Sequence, residues 1–532
     1  MWCFRLNLCK FYQCFIKLFI FMEEYKIMKK LKLILATLLS ILFAFTGVKA
    51  FADESTYTLT INGTTTEHTY EAYQIFSGDI YTTTDENGNE VTTLSNIKWG
   101  SDVNAFTFNN SSDAATIAES LDGASDDSDV AKTFATTAAG KLKTPTKTVT
   151  STANSTTFTG LTAGYYLVKD KDESQNGKNA AYTRFILQVV GDATAQLKND
   201  TPTVQKKVKD INDSTETALT GWQDSADYDI GDTVPFQLKA TLPKQIDNYD
   251  HYYVEFTDNL SAGFTFDGIT KVTADGTTLK ESDYQLTTSK NSDGSTKISV
   301  VITDVKAVAT ITKDDDIVVE YNATLNSDAV IGSKGNPNTV KLTYSNNPNN
   351  TGNGTSKPDD TGETPEDKVI VFTYKVVVNK VDKEKKPLVG AGFTLYKMVN
   401  GSKTKIKEIK ANDSTSTFEF KGLDDGAYIL SETTTPDGYN TIEDINFVVT
   451  AEHDVEADNP ALTSLSGKLT TGDIVFESDL SEGSLTAEVV NEKGSKLPST
   501  GGMGTTLLYV VGTIIILAAG ALLITKKCSS VK

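Results

Sequence analysis

An apolar run of about 20 residues lies close to the end of the chain, from Thr505 to Thr525, and is followed directly by Lys526 and Lys527. A run of this length can cross a bilayer as a helix, and lysines just beyond it keep its C-terminal end in the cytoplasm. The sequence therefore predicts a membrane span over 505–525, so the domains that precede it have to fold on the outer side of the membrane.

The N-terminal part of the chain carries a predicted export signal. A lysine-rich stretch that begins at Met28 is followed by apolar residues over 33–48 and by the small residues Ala50 and Ala52. This order is typical of a secretory signal peptide, here residues 28–52, with cleavage after Ala52 preferred and cleavage after Ala50 as the alternative. Because the signal is complete from Met28 onward, translation is predicted to start there; an extra membrane-embedded segment upstream is the alternative.

The segment between these two signals, residues 53–500, contains no cysteine. The four cysteines of the chain are Cys3, Cys9, Cys14 and Cys528. Exported domains are often stabilised by disulfides, so this exported segment needs another means of stabilisation.

The same segment is strongly acidic. Of the formal net charge of −20, residues 1–52 contribute +6 and residues 501–532 contribute +3, which leaves about −29 for residues 53–500. A surface with this charge repels nucleic acid and anionic lipid, so no nucleic-acid partner is expected.

Short apolar runs separated by Gly, Asn, Asp and Ser predict a mostly β protein. We predict three domains, over residues 53–200, 201–350 and 366–496. The stretch 349–367 is rich in Gly, Thr, Pro and Asp and is predicted to be a linker.

The first domain is expected to add one or two helices to its strands, between about residues 111 and 143. Its segment Asp85 to Asn89 has residues that a calcium loop would use, but no bidentate acid follows at the right distance. Asn-Gly between polar strands is more typical of a hairpin, so a turn is predicted there.

The second domain places one lysine, one acid and one asparagine among apolar side chains. Side chains alternate between the two faces of a strand. By this alternation Lys206 shares a strand face with Val204 and Val208, and Asp258 shares one with Val254 and Phe256. Asn338 shares a face with Val340, Leu342 and Tyr344. Lys207 is the alternative for the lysine and Glu255 the alternative for the acid.

The third domain repeats this arrangement in the same order. Lys380 shares a strand face with Phe372, Tyr374, Val376 and Val378. Glu432 shares a face with Tyr428 and Leu430, and Asn491 shares one with Leu485, Ala487 and Val489. A single lysine at a strand end usually extends its charge into solvent. Two complete sets, each with the lysine on the first strand and the asparagine on the last, favour a chemical role instead.

Such a set of residues can form an isopeptide bond. A neutral lysine amine attacks the side-chain carbonyl carbon of asparagine, and ammonia leaves. Burial lowers the pKa of a lysine and raises that of a carboxyl group, which gives a free amine beside a protonated acid that transfers protons. Fixed positions supply the effective concentration that this slow reaction needs. We therefore predict two cross-links, each with its catalytic acid: Lys206–Asn338 with Asp258, and Lys380–Asn491 with Glu432.

The segment from Tyr428 to Tyr439, YILSETTTPDGY, resembles the E-box of Gram-positive pilins. Lys380, Glu432 and Asn491 lie where the B-type repeats of collagen adhesins have their isopeptide residues, and the middle domain resembles the A-type module, which uses Asp. The resemblance implies tandem Ig-like β-sandwich domains and a major (backbone) pilin of a sortase-assembled pilus.

The C-terminal segment 497–532 resembles the sorting signal of Gram-positive surface proteins. It begins with Leu497, Pro498, Ser499, Thr500 and Gly501, and continues with a glycine-rich hinge, the predicted span and a basic tail. The resemblance implies that a sortase cleaves between Thr500 and Gly501 and transfers the threonine carbonyl to an amine. An ordinary C-terminal membrane anchor is the alternative.

A backbone pilin also needs an acceptor lysine, which the family has in a Tyr-Pro-Lys-Asn pattern at the end of the first domain. This chain has Gln196-Leu197-Lys198-Asn199 at that position, so the Lys-Asn pair matches and the Tyr-Pro pair does not. Lys198 is the predicted acceptor, and a solvated linker lysine is the alternative.

These features together imply a non-enzymatic pilus subunit on the cell wall, with no cofactor and no metal. Its implied partners are identical subunits, a class C sortase and a housekeeping sortase, peptidoglycan, tip or base pilins, and host ligands. A monomeric wall-anchored adhesin would use the same domains without an acceptor lysine. A secreted enzyme is not indicated, since no nucleophile motif is present and three histidines lack ligand spacing: His68, His251 and His453.

Overall fold

The computed structural model describes residues 55–494, apart from 65–66, 86–87, 122–123, 125–127, 198–199 and 217. In this part of the chain, strands dominate and form six sheets, two in each predicted domain. The prediction of a mostly β fold is therefore confirmed.

The predicted signal peptide, sorting motif and membrane span lie outside the described residues. Within the described part, no helix is both long and apolar enough to cross a membrane.

The first domain combines two sheets with two helices. Its elements are β1 Tyr57–Asn62, β2 Thr69–Thr84, β3 Glu90–Trp99, α1 Ala114–Ser120, α2 Asp129–Ala139, β4 Lys147–Thr150, β5 Ser155–Leu161, β6 Gly164–Asp170, β7 Arg184–Val189 and β8 Ala193–Gln196. The sheets have the orders β5-β1-β8 and β3-β2-β6-β7, with β4 paired to β2. Both helices lie in the region where the sequence predicts helix, and β2 and β3 pair from Thr84 and Glu90, across the predicted hairpin turn.

The helices of the first domain are short and are held by packing and by capping. The Asp113 carboxylate accepts a hydrogen bond from the Thr116 amide and so caps α1. Ile117 on α1 and Phe134 on α2 are buried, and the Phe134 ring stacks on Phe76 of β2 at 5.8 Å between centroids. The apolar sides of the helices therefore cover one face of the β3-β2-β6-β7 sheet.

The second domain is a sandwich of two sheets. Its elements are β9 Thr203–Val208, β10 Ser225–Asp227, β11 Thr233–Thr241, β12 Val254–Leu260, β13 Phe264–Ala274, β14 Thr277–Thr278, β15 Gln285–Lys290, β16 Thr296–Ile302, the one-turn helix α3 Val305–Val308, β17 Asp316–Leu325, β18 Asn336–Ser345, β19 Thr361–Glu363 and β20 Asp367–Phe372. One sheet has the order β10-β20-β18-β12-β16-β15, with β19 paired to β18, and the other has the order β14-β13-β17-β11-β9. Burial alternates along β11 and β17, so each strand turns one face to the core.

The third domain is a smaller sandwich. Its strands are β21 Tyr374–Val381, β22 Gly392–Val399, β23 Ser402–Ile409, β24 Thr417–Leu423, β25 Gly426–Thr434, β26 Ile445–His453, β27 Leu462–Thr471, β28 Phe476–Asp479 and β29 Ser484–Val490. The sheets have the orders β24-β21-β29-β28 and β23-β22-β25-β26-β27. The first and last strands, β21 and β29, are parallel neighbours, which brings the two ends of the domain together.

The stretch predicted as a linker, residues 349–367, is a linker only in part. Both β19 and β20 pair with β18 and so extend a sheet of the second domain. Because side chains alternate along β20, Val371 faces the core of the second domain, whereas Phe372 belongs to the core of the third. The two domains are therefore joined by a strand that they share, which the turn-forming composition of the preceding residues conceals.

The first domain is held against the second by a loop between β6 and β7. The Gly177 amide donates to the Thr361 carbonyl at 2.8 Å, and the Tyr182 amide donates to the Asn346 carbonyl at 2.7 Å. The buried Asn346 side chain in turn donates to two carbonyls of the loop. The first and second domains are therefore in direct contact.

Candidate cross-linking sites

Lys206, Asp258 and Asn338 meet in the centre of the second domain. Lys206 lies on β9 in one sheet, and the other two residues lie on β12 and β18 in the opposite sheet. All three side chains are fully buried, and the Lys206 Nζ atom contacts Asp258 Oδ2. The rings of Phe236 and Tyr321 border the amine, with centroids 5.4 and 5.2 Å from Nζ.

This environment favours the neutral forms of the amine and the acid. Burial lowers the pKa of Lys206, and the attraction of Asp258 only partly opposes that effect. Burial also raises the pKa of Asp258, against the opposing effect of Lys206. A proton that moves from the amine to the acid leaves a nucleophile next to a proton donor, as the bond-forming reaction requires.

Lys380, Glu432 and Asn491 meet in the third domain in a different arrangement. Lys380 on β21 and Asn491, just beyond β29, belong to neighbouring parallel strands, and Glu432 approaches from β25 in the opposite sheet. Lys380 Nζ contacts Asn491 Oδ1 and lies 3.3 Å from Glu432 Oε1. Burial lowers the pKa of Lys380, with Glu432 acting in the opposite direction.

Glu432, the acid of the third domain, accepts hydrogen bonds directly from the amide nitrogen that would leave as ammonia. Asn491 Nδ2 donates to Glu432 Oε1 at 3.0 Å and to Oε2 at 3.1 Å. The same nitrogen donates to the Asn440 carbonyl at 3.0 Å, and the Ile442 amide donates to Glu432 Oε2 at 3.1 Å. These bonds fix the carboxyl group beside the nitrogen that has to receive a proton.

The alternative residues of the second domain lie away from the buried group. Lys207 pairs with Asp224 at 2.6 Å and keeps 27% of its side chain exposed. Glu255 accepts hydrogen bonds from the hydroxyls of Tyr253 and Ser299. Both side chains are on the outer faces of their strands, as their position in the alternation requires.

Each buried group can therefore condense with loss of ammonia. In both domains the lysine amine contacts the acid in a dry interior, and in the third domain it also contacts the side-chain carbonyl oxygen of Asn491. In the second domain the Lys206 amine and the Asn338 amide nitrogen meet at the Tyr321 hydroxyl. The remaining predicted site residues, Lys198 and Leu497 to Gly501, lie outside the described residues.

The sequence reasoning missed a third buried lysine, Lys397 on β22. Its Nζ atom lies 2.7 Å from Asp213, 2.7 Å from Asp229 and 2.9 Å from Asp424. Burial lowers the pKa of Lys397, but the carboxylates of Asp424 and Asp229 outweigh burial and raise that pKa above its ordinary value. Lys397 therefore remains an ammonium ion, which is not a nucleophile and which ties the second domain to the third. The three acids lie in loops, where no strand periodicity points to them.

A second acidic cluster lies at the same junction around His453. The imidazole Nε2 is 3.6 Å from Asp210 and 3.8 Å from Asp227, and the three ligand atoms lie within 4.8 Å of one another, close enough to hold a metal ion. Burial and Asp227 raise the pKa of Asp210 to about 8 and that of Asp425 to about 7. Burial lowers the pKa of His453, but the neighbouring carboxylates of Asp227 and Asp210 outweigh burial and raise that pKa overall.

These shifts predict that the joined second and third domains lose stability as the pH rises from 6 to 9. Asp210, Asp425 and His453 all have a raised pKa in the folded state, so the folded state binds more protons than the unfolded state from pH 6 up to about 8, the pKa of Asp210. Each such proton lowers the free energy of unfolding by about 1.4 kcal/mol per pH unit. The melting temperature of the ectodomain should therefore be lower at pH 9 than at pH 6, and Asp210→Asn should weaken the dependence. A melting temperature that rises with pH would contradict these assignments.

Comparison with protein families identifies three parts of the chain. Residues 230–348 match the family described as Gram-positive pilin backbone subunit 2, Cna-B-like domain. Residues 374–461 match a prealbumin-like fold domain, and residues 489–530 match the LPXTG cell wall anchor motif. The middle domain is thus similar to a Cna-B-like domain, whereas its sequence resemblance had implied the A-type module.

A longer stretch of the chain is similar to a streptococcal surface protein. The chain is 25% identical over 396 residues to the trypsin-resistant surface T6 protein of Streptococcus pyogenes serotype M6, covering 63% of this chain and 70% of that protein. The solved structure of the T6 backbone pilin from the same serotype has a TM-score of 0.52 at 18% identity and covers 83% of this chain and 99% of that one. The full-length major pilin SpaD of Corynebacterium diphtheriae has a TM-score of 0.49 at 18% identity and covers 84% and 100%.

Proposed function

Since this chain carries the domains and the cell wall anchor motif of Gram-positive backbone pilins, we propose that it is the structural subunit of a covalent surface pilus. The anchor motif makes it a cell wall-anchored surface protein. The observation that carries the proposal is the pair of fully buried lysines, each in contact with an acid and close to an asparagine, in consecutive domains without cysteine. Such domains suit a shaft that has to withstand tension outside the cell.

We infer that each group has formed an isopeptide bond in the mature protein. In the third domain, the Lys380 nitrogen bonds to Cγ of Asn491, the bond from Cγ to Nδ2 breaks, and ammonia leaves. Glu432 gives a proton to the departing nitrogen and recovers one from the amine, so the acid is regenerated. The chain thus acts once on itself and turns over no substrate.

We infer that a class C sortase joins Thr500 of one subunit to Lys198 of the next, and that a housekeeping sortase attaches the finished polymer to peptidoglycan. The described neighbours of Lys198 are held in place: the Leu197 amide donates to the Asn62 carbonyl, and the Lys244 amide donates to Asp200. A groove of about 700 Å³ lies beside this segment and is lined by residues of all three domains, among them Asn179, Thr201 and Asn459. We expect the C-terminal segment of the neighbouring subunit to enter this groove.

The test of this function is the size of the protein extracted from the cell wall. A covalent polymer should run as a ladder of high mass that survives boiling in detergent, because neither the isopeptide bonds nor the subunit joints are broken by detergent. A single band of monomer size from a strain that expresses the sortases would contradict the shaft function and would favour a monomeric adhesin.

A further inference from the structure

The phenol of Tyr321 occupies the centre of the buried group in the second domain. It lies on β17, and its hydroxyl is 3.1 Å from Lys206 Nζ and donates to Asp258 Oδ2 at 3.0 Å. Asn338 Nδ2 donates to the same hydroxyl at 2.6 Å. One oxygen atom therefore contacts the amine, the acid and the amide nitrogen that has to leave.

The third domain achieves the same contact without a phenol. There the acid is a glutamate, and both of its oxygens accept hydrogen bonds from the leaving nitrogen of Asn491. In the second domain the acid is an aspartate, which is one methylene shorter, and the Asn338 nitrogen bonds to Tyr321 rather than to Asp258. The hydroxyl fills the gap that the shorter acid leaves.

We propose that Tyr321 is a catalytic residue of the second domain, which relays a proton from Asp258 to the departing nitrogen of Asn338. The proposal rests on the isopeptide bond proposed above and assigns it a further participant. Lys206 Nζ bonds to Cγ of Asn338, which turns the amide carbon tetrahedral and gives Nδ2 a lone pair. Tyr321 then gives its proton to Nδ2, the bond from Cγ to Nδ2 breaks, and ammonia leaves. Asp258 returns a proton to the phenol and takes one from the amine, so both side chains are regenerated.

The surroundings keep the phenol in the form and the position that the relay needs. Burial and the neighbouring Asp258 raise the pKa of Tyr321 well above its usual range, so the hydroxyl holds its proton. The ring stacks on Phe236 at 5.3 Å and packs against Phe266 at 5.6 Å between centroids. Because these contacts involve the ring alone, removal of the hydroxyl should leave the packing intact.

The test is a time course of bond formation in the Tyr321→Phe variant. The full ectodomain is made by cell-free synthesis, and peptide mapping by mass spectrometry follows both bonds. The second-domain bond should form at least about 100-fold more slowly, the effect expected for loss of a proton-transfer group, while the third-domain bond forms at the normal rate. Tyr252→Phe is the matched control, because Tyr252 is buried in the same domain and its hydroxyl has no hydrogen-bond partner among the residues that the structure describes.

A second variant separates the relay from a simple packing effect. In Asp258→Glu combined with Tyr321→Phe, the longer acid can reach the amide nitrogen itself, as Glu432 does in the third domain. The double variant should recover bond formation. A second-domain bond that forms at the normal rate in Tyr321→Phe would overturn the proposal, and so would a slow single variant that the longer acid does not rescue. Absence of the second-domain bond from the unmutated protein would instead refute the cross-link on which the proposal rests.

Discussion

Replacing Glu432 with alanine should give a third domain that folds without its cross-link and melts at a clearly lower temperature. Without the acid, nothing protonates the departing nitrogen of Asn491, so Lys380 remains free. The bond would close a loop between residues 111 positions apart. With a disulfide as the analogue, the chain-entropy model gives about 4.7 kcal/mol of stabilisation for a loop of about this length. Calorimetry and limited proteolysis of the purified ectodomain should therefore show a lower transition and new cleavage within residues 374–490.

Two further variants assign this loss of stability to the bond. Glu443→Ala removes an exposed acid of the same domain and should change neither the ammonia deficit relative to the sequence mass nor the melting temperature. Asn491→Ala removes the other end of the cross-link and should lower the melting temperature about as much as Glu432→Ala. If Glu432→Ala still contains a Lys380–Asn491 peptide, the assignment of the acid is wrong.

Replacing Lys198 with alanine should abolish the covalent ladder while monomer is still exported and folded. The substitution removes the proposed acceptor amine, and the described residues on either side are held independently of it, Leu197 by its backbone amide and Asp200 by its side-chain carboxylate. Immunoblots of cell wall extracts, boiled in detergent, measure the result directly. The expected loss is complete, because each joint needs one acceptor amine from every subunit.

Lys244→Ala is the matched control for the acceptor. Lys244 is exposed, and its amide donates to Asp200, two residues beyond Lys198, so it is a rival amine in the same place. The ladder should persist in Lys244→Ala. A ladder that survives Lys198→Ala and disappears with Lys244→Ala would move the joint to the second lysine.

The periodicity of single strands was enough to predict both buried groups from the sequence. The residues two positions away from Lys206 and from Lys380 are apolar. Because side chains alternate between the two faces of a strand, each lysine has to lie on the same face as these apolar neighbours. The acids and the asparagines were predicted in the same way, from the alternation of side chains along other strands. Their convergence at one point depends on which strands pair, so the sequence predicted the faces and the structure supplied the distances.

Other features carried no such signal. Tyr321 shares its face with Val319 and Ala323 and reads as an ordinary core aromatic, since only its hydroxyl distinguishes it. Lys397 lies among acids from distant loops, and a contact between loops leaves no periodic trace in the sequence. The shared strand β20 was hidden for a related reason, because the composition before it is that of a linker and its pairing partner lies more than 20 residues earlier in the chain.

The number of buried lysines sets how many cross-links one subunit can hold. Among the described residues, the buried lysines are Lys206, Lys380 and Lys397, and none of them is in the first domain. Lys397 faces three aspartates and stays charged, which leaves two lysines that face an asparagine. Each mature subunit can therefore hold two such bonds.

The most direct test of this account is the intact mass of the mature ectodomain, residues 53–500, measured under denaturing conditions. The account predicts a mass that is lower than the sequence mass by two ammonia molecules, with one cross-linked peptide pair from the second domain and one from the third. A mass equal to the sequence mass would contradict the central claim. So would a deficit of three ammonia molecules, or a further loss of water from a bond at Lys397.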